Sequence, residues 1–124
     1  MSLAIIIIDD SKSVRRVLRK ELKKIYGDRD IIIDEGVNGV EAMEAVRTGK
    51  YDLMFLDLTM PIMDGFEVLQ HIKEESIEMK VIVLSADIQP EAQKTVKALG
   101  AIEFLSKPLD IEYAKKTLKE HNLL

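Results

Sequence analysis

The sequence predicts a doubly wound α/β fold: five parallel strands in one sheet, with helices on both faces. Three observations carry that expectation. Five short apolar runs recur along the 124 residues, and none shows period-2 alternation. Each therefore reads as a strand buried on both sides. A helical pattern follows each run, and strand–helix alternation repeated five times calls for right-handed crossovers and a parallel sheet.

The first run is Leu3–Ile8, a block of four isoleucines with apolar neighbours. Val14, Val17, Leu18, Leu22 and Ile25 then recur at helical spacing, with Ser11 or Ser13 as the N-cap. Ile31–Ile33 is the second strand, and Asn38-Gly39 opens a helix from about Val40 to Val46 that closes near Gly49. Leu53–Leu56 is the third strand, followed by a helix carrying Phe66, Leu69 and Ile72. Val81–Leu84 precedes a helix that starts at Pro90 and ends at Gly100, good residues for those two positions. Ile102–Leu105 is the last strand, and Ile111, Ala114 and Leu118 mark the last helix.

Composition narrows the function classes. The length fits one domain spanning residues 1–124. Lys plus Arg is 18 against 22 for Asp plus Glu, a net charge of −4, which disfavours direct nucleic-acid binding. Cysteine is absent, which excludes disulfides and thiolate metal sites and fits a reducing cytoplasm. No apolar run approaches the roughly 20 residues of a membrane span, and Met1–Ile8 is too short for a secretory signal. Membrane insertion is not expected.

In open α/β sheets ligands bind beyond the carboxyl ends of the strands. Asp9-Asp10 follows the first strand, Asp57 the third, Ser85 the fourth and Lys107-Pro108 the fifth. The second strand is followed by Asp34-Glu35-Gly36, off to one side. Three clustered carboxylates repel one another and need a counter-charge, for which Mg²⁺ is the natural partner. Lys107 can pair with a phosphate, Ser85 can donate to a phosphoryl oxygen, and Asp57 can be the nucleophile that forms an aspartyl phosphate. Taken singly, each has an ordinary reading: a helix-capping Asp, a solvated lysine, a loop hydroxyl. Their coincidence on four matching strand ends favours chemistry.

The runs Ile5-Ile6-Ile7-Ile8-Asp9-Asp10, Leu56-Asp57-Leu58-Thr59-Met60-Pro61-Ile62-Met63-Asp64-Gly65, Val83-Leu84-Ser85-Ala86 and Leu105-Ser106-Lys107-Pro108 together resemble a response-regulator receiver domain of the chemotaxis type. The resemblance covers essentially the whole chain. It implies a flavodoxin-like (βα)5 fold with strand order 2-1-3-4-5, and a phosphorylation-driven switch of two-component signalling that is not itself a conventional enzyme. It implies that Asp57 is the phosphoacceptor. Asp10, Asp57 and the Thr59 carbonyl would ligate Mg²⁺, with Asp9 acting through water. Ser85 and Lys107 would hold the phosphoryl oxygens. Asn38-Gly39 with Glu41-Ala42 matches the family's entry to its second helix, and Gly100-Ala101 the stretch before the lysine. Phe104 takes the place of the switch aromatic, Thr59 and Asp87 the positions that tune dephosphorylation, and Lys107-Pro108 the family's cis peptide. A histidine kinase or phosphotransfer protein would donate the phosphoryl group. A downstream protein would bind the surface of the fourth helix, fifth strand and fifth helix.

Two other classes compete. An aspartate-nucleophile phosphohydrolase usually has a second Asp two positions on, where this chain has Thr59. A flavodoxin-like nucleotide or flavin binder needs a phosphate cradle after the first strand, where Asp9-Asp10 would repel phosphate. With no output domain after His121-Asn122-Leu123-Leu124, the expectation is either a stand-alone receiver or one excised from a larger regulator. Lys12, Arg15, Arg16, Arg19, Lys20, Lys23 and Lys24 crowd the first helix as either a solvated face or a docking face for an acidic partner. His71 and His121 show no metal-ligand spacing.

Overall fold

The computed structural model describes residues 2–124; Met1 lies outside the described residues. Its elements are β1 (Leu3–Ile8), α1 (Lys12–Tyr26), β2 (Ile31–Gly36), α2 (Gly39–Arg47), β3 (Leu53–Leu56), α3 (Gly65–Glu74), β4 (Lys80–Ser85), α4 (Pro90–Ala98), β5 (Glu103–Ser106) and α5 (Ile111–Glu120). All strand pairs are parallel, in the order β2-β1-β3-β4-β5.

The unbroken apolar runs are explained by two cores. Ile6, Ile8, Met54, Leu56, Val81 and Val83 pack with residues of α2, α3 and α4. The alternate residues Ile5, Ile7, Leu53, Phe55, Ile82 and Leu84 pack with α1 and α5. Successive strand side chains point to opposite faces, so a sheet covered on both sides needs apolar residues at every position. Every residue of β1 is buried, and each buried isoleucine contributes about 1.5–3 kcal/mol relative to exposure.

The structure moves the bounds of β2, β4 and β5 and chooses between the two N-cap residues open for α1. β2, an edge strand, is not buried on both faces: Ile33 is buried but Ile32 is 41% exposed. β2 also runs on through Asp34-Glu35-Gly36, held in register by Ile6, Ile7 and Ile8 of β1. Ser85 is the last residue of β4 rather than the first beyond it, and β5 begins at Glu103 and takes in Ser106. The N-cap of α1 is Ser11, whose side chain accepts from Val14 N–H.

Candidate functional site

Strand register sets the site. Ile8 pairs with Leu56 and Leu56 with Val83, so β1 and β3 end level, while β4 and β5 end together two residues further on, at Ser85 and Ser106. Asp57 N–H donates to Ile8 O at 2.9 Å, and Lys107 N–H donates to Ser85 O at 2.9 Å. These bonds carry the ladder one residue past the strands and place Asp9, Asp57, Ser85 and Lys107 on one rim.

The acidic cluster forms. Carboxylate oxygens of Asp9, Asp10 and Asp57 lie within 4.8 Å of one another; Asp9 and Asp57 are buried, Asp10 exposed. Lys107 Nζ lies 2.8 Å from Asp9 Oδ2 and 3.3 Å from Asp57 Oδ1. Asp57 Oδ1 also accepts from Leu58 N–H at 2.9 Å. Burial pushes the Asp57 carboxyl above its ordinary value and the Asp9 charge adds to this; Lys107 and the Leu58 N–H only partly offset them. For Lys107 burial disfavours the charge, but its bond to Asp9 and the charges of Asp57 and Asp9 outweigh it, leaving the ammonium more strongly protonated than usual. Three carboxylates thus face one ammonium, a set deficient in positive charge and suited to a hard cation.

Ser85 is buried, and its Oγ accepts from Asp87 N–H at 3.0 Å, leaving the hydroxyl proton free to donate. Asp87 itself is exposed, and its Oδ1 accepts from Gln89 N–H. Thr59 is exposed in the loop after Asp57. Phe104 is 9% exposed and belongs to the core on the α3 and α4 side, with Val83 as its strand partner. The Lys107–Pro108 peptide is cis.

The remaining signature residues build the loop. Asp64 caps α3 through a reciprocal capping box with Glu67. A Cβ on Gly65 would fall on the Asp57 carbonyl oxygen and within 2.9 Å of Leu58 Cα, so only glycine permits this approach. Asn38 caps α2, and Gly39 N–H donates to Met63 O at 3.0 Å, tying α2 to the same loop. Ile62 sits at φ +71 and is 79% exposed, inside a tight turn closed by Met63 N–H to Pro61 O. A β-branched residue is strained there.

Sequence reasoning missed two residues. The sequence alone places Arg15 on the charged face of α1 and Glu35 just past the second strand, off to one side. Arg15 donates to Glu35 and to the Asp9 carbonyl, which brings both to the edge of the site. Only the i, i+4 spacing of Arg15 and Arg19 could have signalled a shared partner, and it did not name Glu35. The two histidines lie near single carboxylates, Glu74 for His71 and Glu103 for His121.

A parallel sheet in this order, with three acids and one lysine at its carboxyl rim, defines an α/β domain whose site chemistry suits a hard cation. Residues 5–119 match the family model of the response regulator receiver domain, and the chain belongs to that family. It is 34% identical over 108 residues to the chemotaxis protein CheY of Halobacterium salinarum, covering 87% of each protein. It is 31% identical over 118 residues to Sensor protein EvgS of Escherichia coli, covering 95% of this chain but 10% of that protein. The signal receiver domain of a DNA-binding response regulator from Colwellia psychrerythraea superposes with a TM-score of 0.85 at 28% identity, covering 98% of this chain and 99% of that one. The chain is thus a receiver domain of two-component signalling, as long as some relatives and a small part of others. Receiver domains are regulatory phosphoacceptors that bind Mg²⁺ at an acidic pocket and interact with histidine kinases or phosphotransfer proteins and downstream targets. No helix among the described residues is long and apolar enough to cross a membrane.

Proposed function

We propose that residues 1–124 form one receiver domain that takes a phosphoryl group on Asp57 and signals in the cytoplasm by binding a protein partner. One observation carries the reading: Asp57 is 6% exposed, 3.3 Å from the Lys107 ammonium, and clustered with Asp9 and Asp10. The donor is a phosphohistidine of a kinase or phosphotransfer protein, or a small phosphodonor.

Asp10, Asp57 and the Thr59 carbonyl would hold Mg²⁺, with Asp9 acting through water. Mg²⁺, when bound, supplies positive charge next to the transferring phosphoryl group. The contacts of Asp57 with Leu58 and Lys107 fall on Oδ1, which orients the carboxylate and leaves Oδ2 as the attacking oxygen. A bond forms from Oδ2 to phosphorus as the phosphorus–nitrogen bond of the donor breaks, and the imidazole leaves with that electron pair. Lys107 and the Ser85 hydroxyl take the phosphoryl oxygens, where charge accumulates. Thr59 and Asp87 flank the approach of water and set how long the aspartyl phosphate lasts.

Output runs from Ser85 to the surface. Phe104 borders a hollow lined by Ile88, Gln93, Leu109, Asp110 and Tyr113, between α4, β5 and α5. Ile88 and Tyr113 are well exposed there. Ser85 drawn toward a phosphoryl oxygen shifts the β4–α4 loop and the packing of Phe104, and a partner preferring that shape binds. Coupling of about 1–3 kcal/mol, or 5–150-fold in partner affinity, is the expected scale. Ser85→Ala should still accept phosphate but lose most of this gain; retention of the full gain would route transmission elsewhere.

The decisive experiment is incubation with a small phosphodonor and Mg²⁺, read by intact mass. The wild type should gain one phosphoryl group and Asp57→Asn none. Labelling of the variant at the wild-type rate would overturn the assignment.

A further inference from the structure

Asp9 is held at every polar atom. Its N–H donates to Gly36 O at 3.1 Å, Oδ1 accepts from Ser11 N–H at 2.9 Å, and Oδ2 accepts from Lys107 Nζ at 2.8 Å. The fourth contact is the guanidinium of Arg15, whose NH1 donates to the Asp9 carbonyl at 2.7 Å. That bond differs in kind from the others. The Asp9 carbonyl and the Asp10 nitrogen share one planar amide, so fixing the oxygen fixes the plane from which the Asp10 side chain departs.

Arg15 is itself fixed. Its Nε donates to Glu35 Oε1 at 2.9 Å, and its side chain is only 12% exposed. The other oxygen of Glu35 accepts from Arg19 Nε at 2.8 Å, and Arg19 also donates to Ile33 O on the same strand. Two arginines one helical turn apart therefore grip one carboxylate on β2. Burial pushes the Glu35 carboxyl up, yet the bonds from Arg19 and Arg15 outweigh it and hold it below its ordinary value.

We propose that Arg15, locked by Glu35, is a positioning residue for the metal site: it holds the Asp9–Asp10 peptide so that the Asp10 carboxylate stays clustered with Asp57. This rests on the reading that these acids bind Mg²⁺. Arg15 has two effects of opposite sign. As a nearby cation it repels Mg²⁺, so charge alone predicts tighter binding when it is removed. As a clamp it pre-organises the ligands, and residues that orient metal ligands typically carry about 10–100-fold in affinity. The clamp is the larger effect, because Glu35, although shared with Arg19, lies directly on the Arg15 guanidinium and offsets part of its charge.

The test is Mg²⁺ titration without phosphodonor, followed by calorimetry and by the amide NMR shifts of Asp10 and Asp57, with melting temperature recorded alongside. Arg15→Met should weaken Mg²⁺ binding about tenfold, the low end of the usual range. Arg15→Lys keeps the charge but replaces the rigid guanidinium fork with a single nitrogen on a flexible stem, so it holds the Asp9 carbonyl and Glu35 less firmly and should fall between the two. Tighter or unchanged binding by Arg15→Met overturns the proposal, as does a lowered melting temperature with wild-type Mg²⁺ affinity. If Arg15→Met does not fold, Arg15→Lys decides: weaker binding supports the clamp and wild-type affinity refutes it. Asp10→Asn separates the two levels. If it binds Mg²⁺ like the wild type, the metal site is wrongly placed and the clamp falls with it. If it binds poorly while the Arg15 variants bind normally, only the clamp fails.

Discussion

Asp57 and Asp34 are the same side chain on neighbouring parts of one sheet, and their surroundings push them in opposite directions. Asp57 is buried, faces Asp9 and Asp10, and has one ammonium for relief; its carboxyl is raised. Asp34 has a side chain 39% exposed, accepts from the Tyr51 hydroxyl, and pairs with Lys50 at 3.1 Å. Those hydrogen bonds, Tyr51 first and then Lys50, exceed the effect of burial and hold its carboxyl below the usual value. The difference is one of completion. The protein has already neutralised Asp34, so nothing further is required of it. The Asp57 cluster is left short of positive charge, and a hard cation is the kind of partner that would complete it.

The sharpest test of that contrast is chemical. Asp57→Asn should abolish phosphoryl uptake while Asp34→Asn leaves it at the wild-type rate; equal loss in both, seen by intact mass, would erase the distinction. Next in size is the metal. Excess chelator should stop phosphorylation, and Asp10→Ala should weaken Mg²⁺ binding by about tenfold or more, the scale at which even orienting residues act. Asp9→Ala should weaken it less, since both Asp9 carboxylate oxygens already serve Ser11 and Lys107.

Stability effects are smaller. Gly65→Ala should cost about 1–3 kcal/mol, because the new methyl meets backbone rather than a movable side chain, and should slow phosphorylation by shifting Asp57. A denaturant melt and a phosphorylation time course check the two together. Asp57→Asn should stabilise the metal-free protein by about 0.5–2 kcal/mol, the scale of a typical stabilising substitution, because it removes a buried carboxylate charge that faces Asp9. Asp34→Asn should do the reverse by about 1 kcal/mol or less, as for other exposed pairs.

The pH dependence separates the two aspartates by sign. Where a folded carboxyl is raised, the folded chain keeps a proton that the unfolded chain has lost. The stability due to Asp57 is therefore present below the unfolded value and falls as pH rises through the folded one. Where it is lowered, as for Asp34, stability is present above the unfolded value and is lost as pH falls through the folded one. Melting in chelator across the acid range should show Asp57→Asn removing the first slope and Asp34→Asn the second.

Much of this was legible from the residues. Unbroken apolar runs announced a sheet covered on both faces, and the one or two residues past four of the five runs named Asp9, Asp10, Asp57, Ser85 and Lys107. Burial on both faces failed most clearly at Ile32 of β2, because an apolar run does not say whether a helix covers each face of its strand. Glu35 was not legible as a site residue. Its role depends on β2 continuing past Asp34 and on α1 crossing above it, and neither leaves a local signature.

By itself, then, the sequence determined the order of elements, the glycine at the Asp57 loop and the kinds of group that end each strand, since periodicity, turns and caps act over a few residues. Tertiary structure alone decided which of those groups meet. Lys107 reaches Asp9 across 98 positions of chain, and Arg15 reaches Glu35 across 20. The physical reason is that strand register and helix packing, not local preference, set distances between residues far apart in sequence. The strength and sign of an electrostatic interaction depend on those distances and on the burial that accompanies them.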